Sequence, residues 1–351
     1  MNLSLSEEQL LIKSSAEKFF NENLTFDKRN KAINKDSNII NSVIKKSKEL
    51  GWYELPFKQK YGGLDGSITD VMSLIEVFGS SLHIDPYIFT VLFPGMMIES
   101  FCNENNKPTF LKTIMEAEEK IVFCHAEPKA RFNYLNIKTE ANFENNKYYL
   151  NGKKIFTING GSIDFLIVSA KLPSNEVGIF LIDINKNDIF AQNYKTINDF
   201  NVADFEFNNT ELNANTMIGK LSKSQYTNKI EYIYDYLTLA CCSDALGIAE
   251  KIYTLTLEYV KTREQFGKKI GSFQVIQHRM VDMYIKKEEM RSLNYMAQLA
   301  FVDKEEKDNR VKNVSLNKIF LGTKATEIAQ DSIQIHGGMG VADEMQIGHY
   351  F

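Results

Sequence analysis

The spacing of hydrophobic residues changes twice along the chain, and this change limits the possible folds most. Before about residue 120, apolar positions recur with a helical period, as between Ile12 and Phe20, where Ser6 and Gln9 resemble a capping box ahead of the first helix. The pattern predicts further helices over residues 37–50, 69–79, 88–104 and 108–119. The first third is therefore expected to be helical.

After about residue 120 the sequence favours short strands. Six segments rich in β-branched and aromatic residues are separated by Asn, Gly, Pro and Asp: IVFCHAE, FNYLNIKTEANF, YYLNGKKIF, FLIVSAKL, VGIFLIDI and VADFEF. Asn151-Gly152 predicts a two-residue hairpin turn, because a type I′ turn needs two residues that tolerate positive φ. The middle of the chain is expected to form an antiparallel β domain.

From about residue 225 the helical period returns. Three long amphipathic segments over 225–262, 272–303 and 310–335 suggest antiparallel packing in a bundle. The predicted fold is mainly α with a β domain, divided into a helical domain (1–120), a β domain (121–222) and a helical bundle (223–351).

Composition excludes several classes of protein. The net charge is −4 with both signs interspersed, so neither nucleic acid nor a membrane surface is an expected partner. There is no basic and apolar leader and no run of about 18 apolar residues, which predicts a cytoplasmic protein. The four cysteines form no C-x-x-C pair, and no metal site is expected.

Arg263 begins the first candidate site. It follows a long helix, and Phe266-Gly267 and then Gln274 come after it. A guanidinium can bond two oxygens of a diphosphate, and a nearby amide can reach a polar edge of the same ligand. The alternative is that Arg263 only caps the helix.

Two other stretches carry weaker signals. Gly337-Gly338 is expected to end the third bundle helix and could let a ligand approach bare backbone, while His336 is either catalytic or a helix cap. Glu127-Pro128 and Asn159-Gly160-Gly161 mark loops of the β domain, and each is also explained as a turn.

Taken together and in this order, the stretches resemble the acyl-CoA dehydrogenase family over essentially the whole chain. The matching motifs are LSEEQ, LGWYELPFKQKYGGLDG, AEP, LNGKKIFTINGG, YVKTREQFGKKIGSFQVIQHRMVDM and IQIHGGMGVADE. The resemblance implies a helical domain, a β-barrel-like domain and a four-helix bundle, usually in a homotetramer. It also implies FAD as cofactor and α,β-dehydrogenation of an acyl-CoA, with electrons passed to an electron-transfer flavoprotein.

The resemblance assigns roles to particular residues. Arg263 would hold the pyrophosphate of FAD, Phe266 would pack near its adenosine end, Gln274 would bond the dinucleotide, and the turn from Gln334 through Gly337 and Gly338 would present its backbone. Around the flavin ring, this chain has Ala126, Phe156 and Ile158 where the family usually has Thr, Trp and Thr. A flavin could still stack on Phe156.

The catalytic base is the main departure from the family. The glutamate that most members carry beyond the Gly-Gly turn has no counterpart before Phe351, so either the sequence is a fragment or the base lies elsewhere. Some relatives place a glutamate on the first bundle helix, where Asp235 is the nearest carboxylate; a cap or surface charge is its alternative role.

The degenerate flavin pocket looks most like the small-subunit branch, such as the small subunit of pimeloyl-CoA dehydrogenase. The chain could then pair with a paralogous subunit instead of forming a homo-oligomer. Two alternatives to the dehydrogenase remain at this stage: a non-catalytic partner that completes the FAD site of a paralogue, and a flavin oxidase or monooxygenase. The identity of the acyl chain is not predicted.

Overall fold

A computed structural model describes residues 6–33, 37–161, 163–187, 189–197, 200–302 and 307–351. The chain divides into two compact units. The helical unit contains the described residues of Met1–Val43, Gly66–Ile84 and Thr238–Phe351, and the sheet unit contains Ile44–Asp65 and the described residues of Asp85–Leu237.

The helices of the N-terminal part are α1 (Glu7–Asn23), α2 (Phe26–Ile33), α3 (Ser37–Glu49), α4 (Ile68–Ser80), α5 (Phe93–Phe101) and α6 (Lys107–Glu116). Helix α1 begins with the predicted capping box, in which Gln9 donates its backbone N–H to Ser6 Oγ at 3.2 Å. A π-helical turn, Ile88–Leu92, precedes α5, so the single helix predicted over 88–104 is a π turn followed by a shorter α-helix. Helix α2 was not predicted.

The strands of the sheet unit are β1 (Ile121–Cys124), β2 (Glu140–Glu144), β3 (Lys147–Ile158), β4 (Phe165–Lys171), β5 (Val177–Asp183), β6 (Phe190–Lys195), β7 (Asn201–Asn213) and β8 (Met217–Leu221). They form one sheet in the order β6-β7-β3-β2-β4-β5-β8, with β1 beside β4. Most pairs are antiparallel, as predicted, but β1 and β2 pair with β4 in parallel. One face of this sheet covers a core that includes Leu166, Phe180 and Phe205.

The predicted hairpin at Asn151-Gly152 is wrong. Both residues lie inside β3, and the two-residue turn between β2 and β3 is Asn145-Asn146, with φ angles of 50° and 62°. Gly152 is required for another reason: a Cβ atom there would lie 2.6 Å from Thr139 Oγ1. The Asn-Gly signal therefore marked a close approach between strands instead of a turn.

The C-terminal part contains α7 (Lys223–Thr262), β9 (Glu264–Gln265), β10 (Lys268–Lys269), α8 (Gln274–Val302) and α9 (Lys307–His336). The first part of α7 belongs to the sheet unit and the rest to the helical unit. Helices α7, α8 and α9 share a buried core that includes Leu246, Met283 and Leu321. The three long helices were therefore predicted within a few residues of their ends, and the predicted fold class is confirmed.

Among the described residues, no helix combines the length and apolar character needed to span a bilayer.

A buried acid in the sheet unit gives a pH-dependent prediction. Tyr53 Oη donates a hydrogen bond to Asp85 Oδ2, and burial raises the pKa of Asp85 to about 6 despite that bond. Because the folded state holds this proton more tightly than the unfolded state, the contribution to stability is full below about pH 4 and is lost as the pH rises to about 6.

We expect Asp85→Asn to flatten the pH dependence of unfolding over this window, by at most about 3 kcal/mol between its two ends. Urea midpoints of the two proteins at pH 4 and pH 6.5 measure the difference. Parallel pH profiles would contradict this assignment.

Candidate functional site

Arg263 follows the last residue of α7 and leaves its side chain in solvent. Its backbone N–H donates to the Tyr259 carbonyl at 2.8 Å, and its carbonyl accepts from Ile270 N–H at 2.9 Å. The guanidinium hydrogen-bonds to no described residue and forms no ion pair with one. The alternative role of a side-chain cap is therefore not seen, because the backbone alone closes this helix end.

Phe266 and Gly267 form the turn of a small hairpin between β9 and β10. Their φ angles are 55° and 75°, as a type I′ turn requires, and Phe266 is 91% exposed. Phe273 meets the Phe266 ring edge-on with ring centroids 6.2 Å apart. Apart from this contact the Phe266 side chain is exposed, so most of its ring is available to a ligand or a second chain.

The end of α9 lies beside the end of α7. The His336 ring stacks on Tyr259 with centroids 4.1 Å apart, and its Nδ1 donates to the Ser332 carbonyl at 2.9 Å. Burial lowers the pKa of His336. Of its two predicted roles, the structural one is favoured: a neutral, stacked ring that brings Gly337 to the same end of the helical unit as Arg263.

Gly337 and Gly338 follow α9 as predicted and face open space. Gly337 has a φ of 61°, which favours glycine, but Gly338 does not have a positive φ, and a Cβ on either residue would meet no described atom within 4 Å. Nothing described in the chain thus demands a glycine at 338. Gln274, the first residue of α8, and Gln334 are exposed, and their side chains bond no described residue.

The remaining predicted residues lie in the sheet unit. Ala126 follows β1 and accepts a hydrogen bond from Ile155 N–H at 2.7 Å, so the two predicted loops are adjacent. Phe156 has a φ of 55° and is 52% exposed, and Ile158 ends β3 in a half-buried position. Ala126, Phe156 and Ile158 therefore cluster around one end of β3.

A buried ion pair supports these two loops. Lys154 Nζ lies 2.7 Å from Glu127 Oε1, with side chains 0% and 3% exposed. Glu127 also accepts from Lys138 N–H, Thr139 N–H and Thr139 Oγ1 at 2.7, 3.1 and 2.8 Å. Burial alone would raise the pKa of Glu127, but the Lys154 charge and these bonds hold it below its ordinary value. The pair was not predicted, although strand alternation from the buried Leu150 places Lys154 on the inward face.

Asp235 is half-buried well inside α7, so the alternative role of a helix cap is not seen, and the role of base stays a prediction. The pKa of Tyr134 is raised, mainly by burial and to a smaller extent by the charges of Glu231 and Asp235. The Tyr134 ring stacks on Tyr234 with centroids 4.7 Å apart and an interplanar angle of 11°. Asp235 therefore lies in the neighbourhood of the segment that follows Glu127-Pro128.

Both groups of predicted residues have features that the fold itself does not need. In the helical unit these are the guanidinium of Arg263, the exposed Phe266 ring and the glycine at 338; in the sheet unit it is the half-exposed Phe156. An arginine beside open backbone suits phosphate groups, and exposed aromatic rings suit a flat heterocycle. Within the helical unit, these residues therefore fit the diphosphate end of a flavin dinucleotide, and within the sheet unit Phe156 fits a flavin ring.

Fold and site residues together indicate a flavin-binding oxidoreductase that contains both helical domains and a sheet. Two family models match the chain: "Acyl-CoA dehydrogenase, N-terminal domain" over residues 6–118 and "Acyl-CoA dehydrogenase, C-terminal domain" over residues 235–351. The chain belongs to the acyl-CoA dehydrogenase family, whose members are FAD-dependent flavoproteins.

Proteins of similar sequence and structure support this conclusion. An acyl-CoA dehydrogenase of Bacillus subtilis is 27% identical over 85% of this chain and 80% of its own length. A 3-(aryl)acrylate reductase of Clostridium sporogenes is 24% identical over 90% of this chain and 85% of its own length. The structure of butyryl-CoA dehydrogenase from Megasphaera elsdenii superimposes with a TM-score of 0.85 at 25% identity, covering 100% of this chain and 93% of that one.

Proposed function

We propose that this chain catalyses flavin-dependent dehydrogenation between Cα and Cβ of an acyl-CoA thioester and passes the electrons to an electron-transfer flavoprotein. The observation that carries the proposal is that the open backbone at Gly337-Gly338 and the guanidinium of Arg263, which no described residue pairs with, follow the two helix ends that meet where His336 stacks on Tyr259. The fold requires neither the glycine at 338 nor a free arginine there, whereas a bound diphosphate would use both.

The proposed roles follow the two groups of residues. Arg263 would hold the diphosphate of FAD, with Phe266 and Gln274 beside the dinucleotide and the backbone from Gln334 to Gly338 facing it. Phe156, with Ala126 and Ile158, would border the flavin ring. When bound, FAD supplies the two-electron chemistry that no amino-acid side chain provides.

The chain's own contribution to the chemistry is a carboxylate. The α-proton of a thioester needs a base, and Asp235 is the carboxylate that we assign to this role. The raised pKa of Tyr134 keeps that neighbouring hydroxyl protonated and able to donate a hydrogen bond. A half-buried carboxylate near a protonated tyrosine can take a proton and return it.

The partners and direction of the reaction are part of the proposal. The relatives include proteins named as dehydrogenases and as reductases. The same site could therefore run in reverse and reduce a 2-enoyl thioester, with the electrons supplied by the electron-transfer flavoprotein. An oligomer, either of this chain alone or with a paralogous subunit as in the small-subunit branch, is the assembly that the family resemblance supports. The alternative of a non-catalytic partner that completes the FAD site of a paralogue is not favoured by any contact in this structure.

The test begins with the absorbance spectrum of the purified protein. We expect a flavin band, and we expect acyl-CoA substrates to bleach it without oxygen, or 2-enoyl-CoA to reoxidise the reduced form. Asp235→Asn should slow bleaching and leave the flavin content unchanged, whereas Glu231→Gln, which alters the neighbouring carboxylate, should leave both unchanged. Absence of a flavin band in the protein alone and in any co-purified complex would refute the proposal.

A further inference from the structure

Asp204 on β7 lies opposite an extra residue in β3. Lys154 pairs with Phe205 and Thr157 pairs with Ala203, so Ile155 and Phe156 together face Asp204. The extra residue of such a β-bulge is left without its regular hydrogen bond to the neighbouring strand. The N–H of Phe156 donates instead to Asp204 Oδ1 at 3.0 Å.

A second strand reaches the same oxygen. Gln192 on β6 pairs with Asp204, and Tyr194, two residues further along β6, donates its hydroxyl to Asp204 Oδ1 at 2.9 Å. Burial and this bond raise the pKa of Tyr194, which keeps the hydroxyl a donor. One carboxylate oxygen therefore ties β3, β7 and β6 together at the bulge.

The bulge holds Phe156 in a conformation that the residue does not prefer. A φ of 55° is uncommon for a bulky side chain, and residues held there are a sign of a functional constraint. Neighbouring residues in β3 are held in place by buried contacts, so the strand cannot shift to relieve this conformation. Lys154 is fully buried in its ion pair, and Thr157 is buried against Cys124 with Oγ1 and Sγ 3.1 Å apart. The result of this arrangement is a fixed backbone at Phe156 with a side chain that is 52% exposed.

We propose that Asp204, assisted by Tyr194, is a positioning residue that fixes the Phe156 bulge and thereby presents the Phe156 ring to the flavin. This inference rests on the proposed function for the role of Phe156, but the bond from Phe156 N–H to Asp204 is independent of it. Asp204 acts through the backbone of Phe156, so its effect on flavin binding requires the phenylalanine ring.

Four variants of the full-length protein test this inference. Asp204→Ala removes the acceptor, Tyr194→Phe removes one of its two bonds without changing shape, and Phe156→Gly removes the ring while suiting the left-handed conformation. Glu206→Ala is the matched control, because Glu206 lies two residues along β7 and pairs with Lys153, outside the bulge. The readouts are amide hydrogen exchange at Phe156 in the flavin-free protein, and the FAD dissociation constant with the visible circular dichroism of the bound flavin.

We expect Asp204→Ala to accelerate exchange at Phe156 and to weaken FAD binding, each on the order of tenfold, which corresponds to one hydrogen bond to a charged group. Tyr194→Phe should shift both in the same direction by less, and Glu206→Ala should shift neither. In the Phe156→Gly background, Asp204→Ala should no longer change FAD affinity, because coupled residues are not additive.

If Asp204→Ala accelerates exchange but leaves FAD affinity and dichroism unchanged, Asp204 has only a structural role and the inference is overturned. The inference is also overturned if Asp204→Ala weakens FAD binding equally in the wild type and in the Phe156→Gly background. If Asp204→Ala does not fold, Tyr194→Phe decides by the same criteria. A wild-type protein that binds no FAD refutes the proposed function and this inference with it, whereas FAD binding that is insensitive to both variants refutes this inference alone.

Discussion

Arg263→Ala is expected to weaken FAD binding about 100-fold, the effect of losing two charge-assisted hydrogen bonds to a diphosphate. The guanidinium makes no described contact within the chain, so its removal should leave the unfolding midpoint unchanged. The backbone bonds that close α7 at Tyr259 and Ile270 do not involve the side chain. Loss of flavin without loss of stability is therefore the expected result.

Lys269→Ala is the control for this prediction. Lys269 lies on β10 of the same hairpin region, is also exposed, and carries the same charge, so it reports the general effect of removing one positive charge nearby. Titration of the flavin-free proteins with FAD at two salt concentrations measures both variants. Equal affinities for the two variants would contradict the assignment of Arg263 to the diphosphate.

The helical part of the fold was predictable because its signal is local. The apolar period over α7, α8 and α9 repeats for many turns, and Gly337 marks the helix end directly. Helix α2 was not predicted because it has only eight residues, Phe26–Ile33, and buries one of them, Ala32. A segment this short carries too few positions for a period to be recognised.

The sheet was less predictable because strand pairing is set by distant residues. The parallel contact of β1 with β4 joins Cys124 to Val168, and no feature of either segment specifies its partner. The Asn-Gly error has the same origin. A glycine needed because Thr139, the residue before β2, approaches closely cannot be told in the sequence from a glycine needed by a turn.

The same difference between local signals and contacts with distant residues applies to the candidate site. Arg263 and Gly338 were predicted because motifs mark them, and the structure adds that the fold does not need them. The roles of Lys154 in a buried ion pair and of Asp204 at the bulge were not predicted, because they depend on residues distant in sequence. These are Glu127 in the loop after β1 and Phe156 in β3. The start of α7 does carry a sequence signal, a capping box between Ser222 and Gln225, and Asp235 lies well beyond it inside the helix.

Glu127→Ala is expected to destabilise the sheet unit by about 3–5 kcal/mol, because it leaves the Lys154 charge buried without a counter-ion. Lys154 is fully buried and its remaining contacts are weaker, with the His125 carbonyl at 3.4 Å and Ser169 Oγ at 3.3 Å. Burial already lowers the pKa of Lys154 despite Glu127. Without the carboxylate the amine has to lose its proton or draw water into the sheet.

The exposed pair of Lys147 and Glu211 provides the control. It joins β3 to β7 with side chains 41% and 53% exposed, so Glu211→Ala should cost less than about 1 kcal/mol. Urea unfolding followed by circular dichroism compares the two variants. Similar midpoints would show that Lys154 does not depend on Glu127.

The double variant Glu127→Leu with Lys154→Met separates a lost charge partner from lost packing. Replacing both members of a buried pair by apolar residues of similar size is often neutral, so the double variant should recover most of the stability that Glu127→Ala loses. Acid supplies a further check. The depressed pKa of Glu127 adds stability above the ordinary carboxyl pKa of about 4.3 that disappears as the pH falls through the folded value, so the double variant should lose less stability in acid than the wild type. Because Glu127 and Lys154 support the loops that carry Ala126 and Phe156, a double variant that is stable but binds FAD poorly would show that the buried charges orient the site.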